Sequence, residues 1–172
     1  MKKKNRLGAE FFMTSGEKVA QNLLGKELFF NGKSGIITET ENYEGFDDEA
    51  SHAFCGRTKR NAPMFARAGF SYVYLIYGMY CCLNITTREE GFPAAVLIRG
   101  LLLKDGTVLN GPGKVCRYLG LSTKDTARDL LTEPDFYIKP LSEPLSFRIQ
   151  ASKRIGIKKA TERLWRFTAI FE

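Results

Sequence analysis

The spacing of apolar residues along this chain changes several times, and each change marks an element. Val19, Leu23 and Leu24 recur at helical spacing behind Thr14 and Ser15, either of which can cap, and Gly25 stops the run. A short helix is therefore expected over residues 15–25. Leu28–Phe30, Asn31-Gly32 and Gly35–Glu41 read as a hairpin, because Asn-Gly tolerates the positive φ of a tight turn. From Tyr72 the period becomes two: Tyr72, Tyr74 and Ile76 fall on one face of a strand, Val73, Leu75 and Tyr77 on the other, and Gly78 breaks the run. Ala94–Arg99 reads as a further strand, and Gly111–Leu119 as a turn feeding a helix. Residues 136–138, 145–151 and 165–171 read as later strands. There is no internal repeat, low-complexity tract or linker. This mixture predicts one α+β domain with a mainly antiparallel sheet.

At 172 residues the chain is long enough to bury a substantial core as one domain. No apolar run is long enough to span a bilayer. The basic start Met1–Arg6 is followed by no apolar stretch, so it does not read as a signal peptide. These features predict a soluble intracellular protein that needs no membrane partner. The net charge of +7 favours a polyanionic partner without showing where it binds. Basic residues concentrate at Arg57–Arg60, Lys153–Lys159 and Arg163–Arg166, a spacing compatible with one surface. The four cysteines, Cys55, Cys81, Cys82 and Cys116, form no Cys-x-x-Cys pair, and His52 is the only histidine. Reduced thiols are expected, and neither a zinc site nor any other metal site. A site built from Asp47, Asp48, Glu49 and His52 lacks a recognised ligand pattern.

Candidate chemistry rests on few residues. Four of the seven tyrosines fall within Tyr72–Tyr80, next to Gly78. Such density suits either a core strand or a surface that stacks on flat ligands such as nucleobases. Glu41 ends a strand whose face it shares with Glu39, and Tyr43 and His52 follow. It is either a solvated edge carboxylate or, in a protected cleft, a base able to take a proton from water. His52 is either a hydrogen-bonded structural residue or part of that cleft. Gly111-Pro-Gly-Lys114 lacks the Walker spacing, but its amides and Lys114 could hold a DNA phosphate at a helix start.

Taken in order, Glu39–Tyr43, Asp48–His52, Arg60–Met64, Tyr72–Tyr80, Asn84-Ile85, Val96–Arg99, Gly111–Lys114 and Arg154–Ile157 resemble the alkyladenine (3-methyladenine) DNA glycosylase family of the mammalian type, also found in bacteria. The similarity runs from about Phe11 to Phe167. The resemblance implies a basic tail over 1–10 and a glycosylase domain over 11–172, built on a curved, mainly antiparallel sheet with surrounding helices. It implies a monomeric, monofunctional DNA-repair enzyme without a cofactor, acting on double-stranded DNA that contains damaged purines. The enzyme would flip the damaged nucleotide and hydrolyse its N-glycosidic bond, leaving an abasic site.

By the same resemblance Glu41 activates the water, and Arg99 and the Ile155 carbonyl help hold it. Tyr43, His52 and Tyr74 surround the flipped base, and Asn84 restricts which purines enter. Tyr77 is the wedge that fills the vacated stack. Met64, Arg57, Arg60, Lys114 and Arg154 would contact DNA. Only residues 100–110 separate Arg99 from Gly111, where family members carry a longer segment, and the chain ends soon after Phe167. The alternative left open is a weakly active or inactive DNA-binding relative shortened by deletion.

Overall fold

The computed structural model describes residues 5–172; the lysines of the expected basic tail, Lys2 to Lys4, lie outside the described residues. The described part of that tail is docked. Leu7 donates its N–H to the Ile138 carbonyl, the Arg6 guanidinium reaches the carbonyls of Leu130 and Glu133, and helix α1 (Ala9–Phe12) begins inside the expected tail.

The predicted helix is α2 (Gly16–Leu23), with the Ser15 hydroxyl accepting from the Lys18 N–H. Val19, Ala20 and Leu23 are fully buried on its apolar side. The predicted hairpin joins β1 (Glu27–Phe30) to β2 (Lys33–Glu44), and Asn31 and Gly32 both take positive φ, 47° and 85°. The tyrosine segment forms β3 (Ser71–Ile76), returned by β4 (Tyr80–Thr86). Next come β5 (Ala94–Leu102), β6 (Val108–Asn110) and α3 (Pro112–Leu119), then β7 (Phe136–Lys139), β8 (Phe147–Ser152) and β9 (Arg166–Phe171). Proline at the start of α3 has no N–H to leave unsatisfied, and Gly120 closes the helix in the left-handed conformation.

All nine strands belong to one antiparallel sheet with the spatial order β3-β4-β5-β2-β1-β7; β6 extends β5, and β9 joins β2 to β8. The α+β class and curved antiparallel sheet expected from sequence are what the chain adopts. Both ends of the main order are covered. Leu7 bonds along β7, and residues 126–128 bond along β3, which removes the hazard of an open edge. One face of the sheet carries α2 and α3 over a core that includes Leu23, Leu28, Ile85, Ile98 and Val115. The other face carries the aromatic cavity.

What turns the acidic residues toward that cavity is an irregularity in β2 and β5. Ile37 pairs with Leu101 and Thr40 with Ile98, but between them Glu39 pairs with Gly100, leaving Thr38 and Arg99 without partners. Ile37 and Thr40, three residues apart, both face α2: Ile37 lies in the core, and the Thr40 hydroxyl donates to the Ala20 carbonyl. Leu101 and Ile98 are likewise both core residues. Each strand thus carries one residue more than strict alternation allows, and the faces exchange. Without that exchange, Glu39 and Glu41 would share the face of Ile37. Gly100 makes the crossing possible, because a Cβ there would lie 2.6 Å from the Thr38 hydroxyl.

Candidate active site

Glu41 is fully buried in the wall of the cavity. Its Oε2 accepts the Tyr43 hydroxyl at 2.7 Å, and its Oε1 accepts the Ile155 backbone N–H at 2.7 Å. The Arg99 Nε stands 3.6 Å from the same Oε1, but lies closer, 3.2 Å, to Glu39 Oε1, to which it donates. Burial raises the Glu41 pKa, opposed by Arg99 and by the Ile155 and Tyr43 donors; the nearby Glu39 carboxylate reinforces the rise. Burial and the Glu41 charge push the Tyr43 hydroxyl up, so it stays protonated and able to donate.

The predicted face of β3 is observed: Tyr72, Tyr74 and Ile76 all line this cavity. His52 stands at its mouth with Nδ1 3.2 Å from the Tyr72 hydroxyl, its ring edge-on to Tyr74 at 4.4 Å between centroids. Its loop is shaped by Asn61, whose buried amide donates to the carbonyls of His52 and Gly56. Burial and the nearby Arg60 lower the His52 pKa, favouring the neutral ring. Asn84 is buried beside Tyr72, donating to its carbonyl at 3.2 Å. Sequence reading did not single out Tyr72, Cys82 and Leu97 as part of this wall. The alternation signal already placed Tyr72 beside Tyr74, and Cys82 is the cross-strand partner of Tyr74. Arg99 lines the cavity and also an adjoining one, shared with Tyr80, Lys114 and Arg117 at the start of α3.

Tyr77 does not share a face with Val73 and Leu75. It leaves the ladder and forms, with Gly78, the tip of the β3–β4 hairpin, both at positive φ (53° and 67°). It is 83% exposed at the cavity rim. Positive φ is uncommon outside glycine, and here it turns an aromatic ring outward with no packing to hold it.

Two expected DNA contacts are corrected. Arg154 is buried, its guanidinium gripping the buried Asp48 through two bonds of 2.7 and 2.8 Å, reaching the Asn42 carbonyl, and lying over Tyr43 and Trp165. It anchors residues 153–157, from which the Ile155 N–H reaches Glu41, and its charge is not available to a phosphate. Met64 is 2% exposed within a small cluster with Ala53, Phe65, Tyr72 and Ala95, so it enters the site as cavity wall and not as an exposed surface contact. The expected basic surface is also thinner than the residue count implies. Arg163 pairs with Asp47, Arg166 with Glu39 and Lys159 with Glu49. Arg57 and Arg60 remain exposed, Arg57 over the Phe65 ring and Arg60 over the Tyr74 ring of the cavity while donating to the Leu75 carbonyl, and Lys114 is exposed with no ion pair among the described residues. Among the described residues no group of three or more His, Cys, Asp or Glu side chains is arranged to hold a metal ion, and no helix is long and apolar enough to cross a membrane.

Residues 10–170 match the family model described as Methylpurine-DNA glycosylase (MPG). A Rickettsia felis protein named "Putative 3-methyladenine DNA glycosylase" is 50% identical over 163 residues, covering 94% of this chain and 91% of its own length. Proteins of the same name from Rickettsia conorii and Ehrlichia ruminantium are 51% identical over 160 residues (92% and 86% of the two chains) and 48% over 167 residues (95% and 88%). With its aromatic cavity, buried carboxylate and near full-length agreement, the chain belongs to the methylpurine-DNA glycosylase family.

Proposed function

We propose that this protein is a monofunctional DNA-repair glycosylase that hydrolyses the N-glycosidic bond of damaged purines, 3-methyladenine among them, flipped out of duplex DNA. The observation that carries the reading is Glu41: a carboxylate closed to solvent in an aromatic cavity, held by two hydrogen bonds and one loose ion pair. An ionised carboxylate offers about four lone-pair sites, so capacity remains for a water. Glu41 orients that water and takes one of its protons while the water oxygen bonds to the sugar carbon. The C–N bond breaks as that bond forms. Its electron pair goes to the departing purine, cancelling the positive charge that N-alkylation placed there. The Glu41 charge opposes the positive charge building on the sugar, and Arg99 supports the attacking oxygen. Among the described residues no lysine lines the cavity, which favours water over an amine as nucleophile.

Tyr43 and Tyr74 offer faces that attract a cationic base, with His52 and Asn84 at its edges. Tyr77 fills the gap left in the stack, offsetting part of an unstacking cost of about a few kcal/mol. Arg57, Arg60 and Lys114 contact phosphates.

Single-turnover release of a methylated purine from a duplex tests the reading. Release is expected from the native protein, with Tyr77→Ala losing much more activity on a well-paired lesion than on a mispaired one, which costs less to unstack. Binding without release would mark the protein as an inactive relative. Equal losses on both duplexes would make Tyr77 a pocket residue and end its assignment as wedge.

A further inference from the structure

Two arginine side chains near Glu41 are tied to a residue with no role in the mechanism above. Glu39 Oε1 accepts from Arg99 Nε on β5 and from Arg166 Nη1 on β9, both at 3.2 Å. Arg166 also donates from Nε to the Lys153 carbonyl, in the segment that supplies the Ile155 N–H. All three side chains are mostly buried: 13% exposed for Glu39, 12% for Arg99 and 27% for Arg166. Arg99 has five N–H donors. Glu39 takes Nε–H, and among the described residues the remaining donors have no hydrogen-bond partner, while Arg99 faces the cavity. Arg99 and Glu41, by contrast, stand at 3.6 Å without a hydrogen bond.

A buried guanidinium beside a buried carboxylate ordinarily closes into a short two-pronged pair, as Arg154 and Asp48 do in this same chain. Between Arg99 and Glu41 that closure is absent, and Glu39 holds the Nε–H that would make it. We infer that Glu39 is a positioning residue for the hydrolytic step: it restrains Arg99 from closing onto Glu41, so that both keep the sites that meet the attacking water. Arg166 sets how strongly Glu39 pulls, since both guanidiniums share one oxygen. The inference rests on the reading of Glu41 as the base.

The other groups around Glu41 come from every neighbouring element: Tyr43 on β2, Tyr74 and Cys82 on β3 and β4, His52 on the loop, and the Ile155 N–H. Burial raises the pKa of Tyr74 and of Cys82, and lowers that of His52. All three are therefore expected to be neutral at pH 7, and Glu39, Arg99 and Arg166 carry the nearby fixed charges.

Opposite signs follow for two substitutions. In Glu39→Gln the neighbouring negative charge is gone and Arg99 moves onto Glu41, so Glu41 ionises more easily. In Arg166→Met the Glu39 charge is less compensated and Glu41 ionises less easily. The experiment is the pH profile of single-turnover excision on a methylated duplex. The acid limb is expected to move down by about one pH unit in Glu39→Gln and up in Arg166→Met. The Glu39→Gln plateau should fall about tenfold, with damaged-DNA affinity within about twofold, since no contact to DNA is removed. A mere loss of packing lowers the plateau without moving the limb. Limbs that coincide with the native one, or move the same way in both variants, would overturn the inference. Glu41→Gln run in parallel separates the two readings. If it keeps turning over, the base assignment fails; if it is inactive while the limbs stay put, only the role of Glu39 fails.

Discussion

Two arginines stand against carboxylates on the same side of this sheet, and the protein treats them differently. Arg154 and Asp48 are both fully buried, joined by two bonds of 2.7 and 2.8 Å, with Tyr43 and Trp165 against the guanidinium. Arg99 and Glu41 are separated by 3.6 Å, unbonded, with Arg99 restrained from the side by Glu39. The first pair satisfies its own charges and is closed to solvent. Removing either partner strands a buried charge, which is why such pairs are structural commitments. The second pair is incomplete, and its open donor and acceptor sites are what the water of the proposed mechanism would need. The residue types in the two pairs are closely similar; geometry divides a closed pair from an open one.

Breaking the open pair should have the largest effect. Glu41→Gln keeps the shape and loses the base, so excision is expected to fall about 10²–10⁴-fold in single-turnover assays, with damaged-DNA binding retained. Near-native turnover would remove Glu41 from the mechanism.

Breaking the closed pair should act on stability. Asp48→Asn leaves Arg154 buried and uncompensated, at a cost of about 3–5 kcal/mol. That corresponds to a fall in Tm on the order of 10 °C for a domain this size, measurable by calorimetry. A shift under about 2 °C would show that water reaches the pair.

The contrast sharpens with pH. Burial raises the folded-state pKa of Glu41 above its unfolded value. Below the unfolded value, about 4.3, Glu41 is protonated in both states and costs nothing. As pH rises through the folded value the buried carboxylate ionises, and stability is lost. Glu41→Gln should therefore melt above the native protein at pH 7, on the order of 2–4 °C per kcal/mol relieved. The difference should vanish near pH 4. A variant less stable at both pH values would mean that the two donors more than offset the burial of the charge.

The smallest effect separates engaged from unengaged surface cations. Lys114 has no ion pair among the described residues, so Lys114→Ala should reduce the slope of log affinity against log salt by about 0.9. Arg163, paired with Asp47 and lying over Trp165, should leave the slope unchanged when replaced by alanine. Equal slopes for both variants would place the phosphates elsewhere.

Much of the fold was legible because its signals are local. Ser15, Asn31-Gly32, Gly78 and Gly111-Pro112 bound elements as their chemistry requires, and the period-two run at Tyr72 identified the cavity face. The site's partnerships were not local. Sequence spacing cannot say that Arg154 meets Asp48, 106 positions away, or that the Ile155 N–H meets Glu41, 114 positions away. Counting charges overstated the basic surface because it cannot tell which arginines are already engaged. Alternation also failed at Tyr77, where the chain had already left the strand for the turn.

The exchange of faces in β2 and β5 has a genetic consequence. Glu39 and Glu41 lie on the cavity side of the sheet because Thr38 supplies one extra residue ahead of them. In-frame loss of that single codon would leave every side chain of the proposed site encoded yet carry the acidic pair toward the helices. A much larger change in the turn at residues 104–107 would spare Leu103, which packs on the core, and alter the link between β5 and β6. Length variation in descendants of this gene should therefore be tolerated beyond Leu103 and purged around Thr38, however conservative the residues exchanged there.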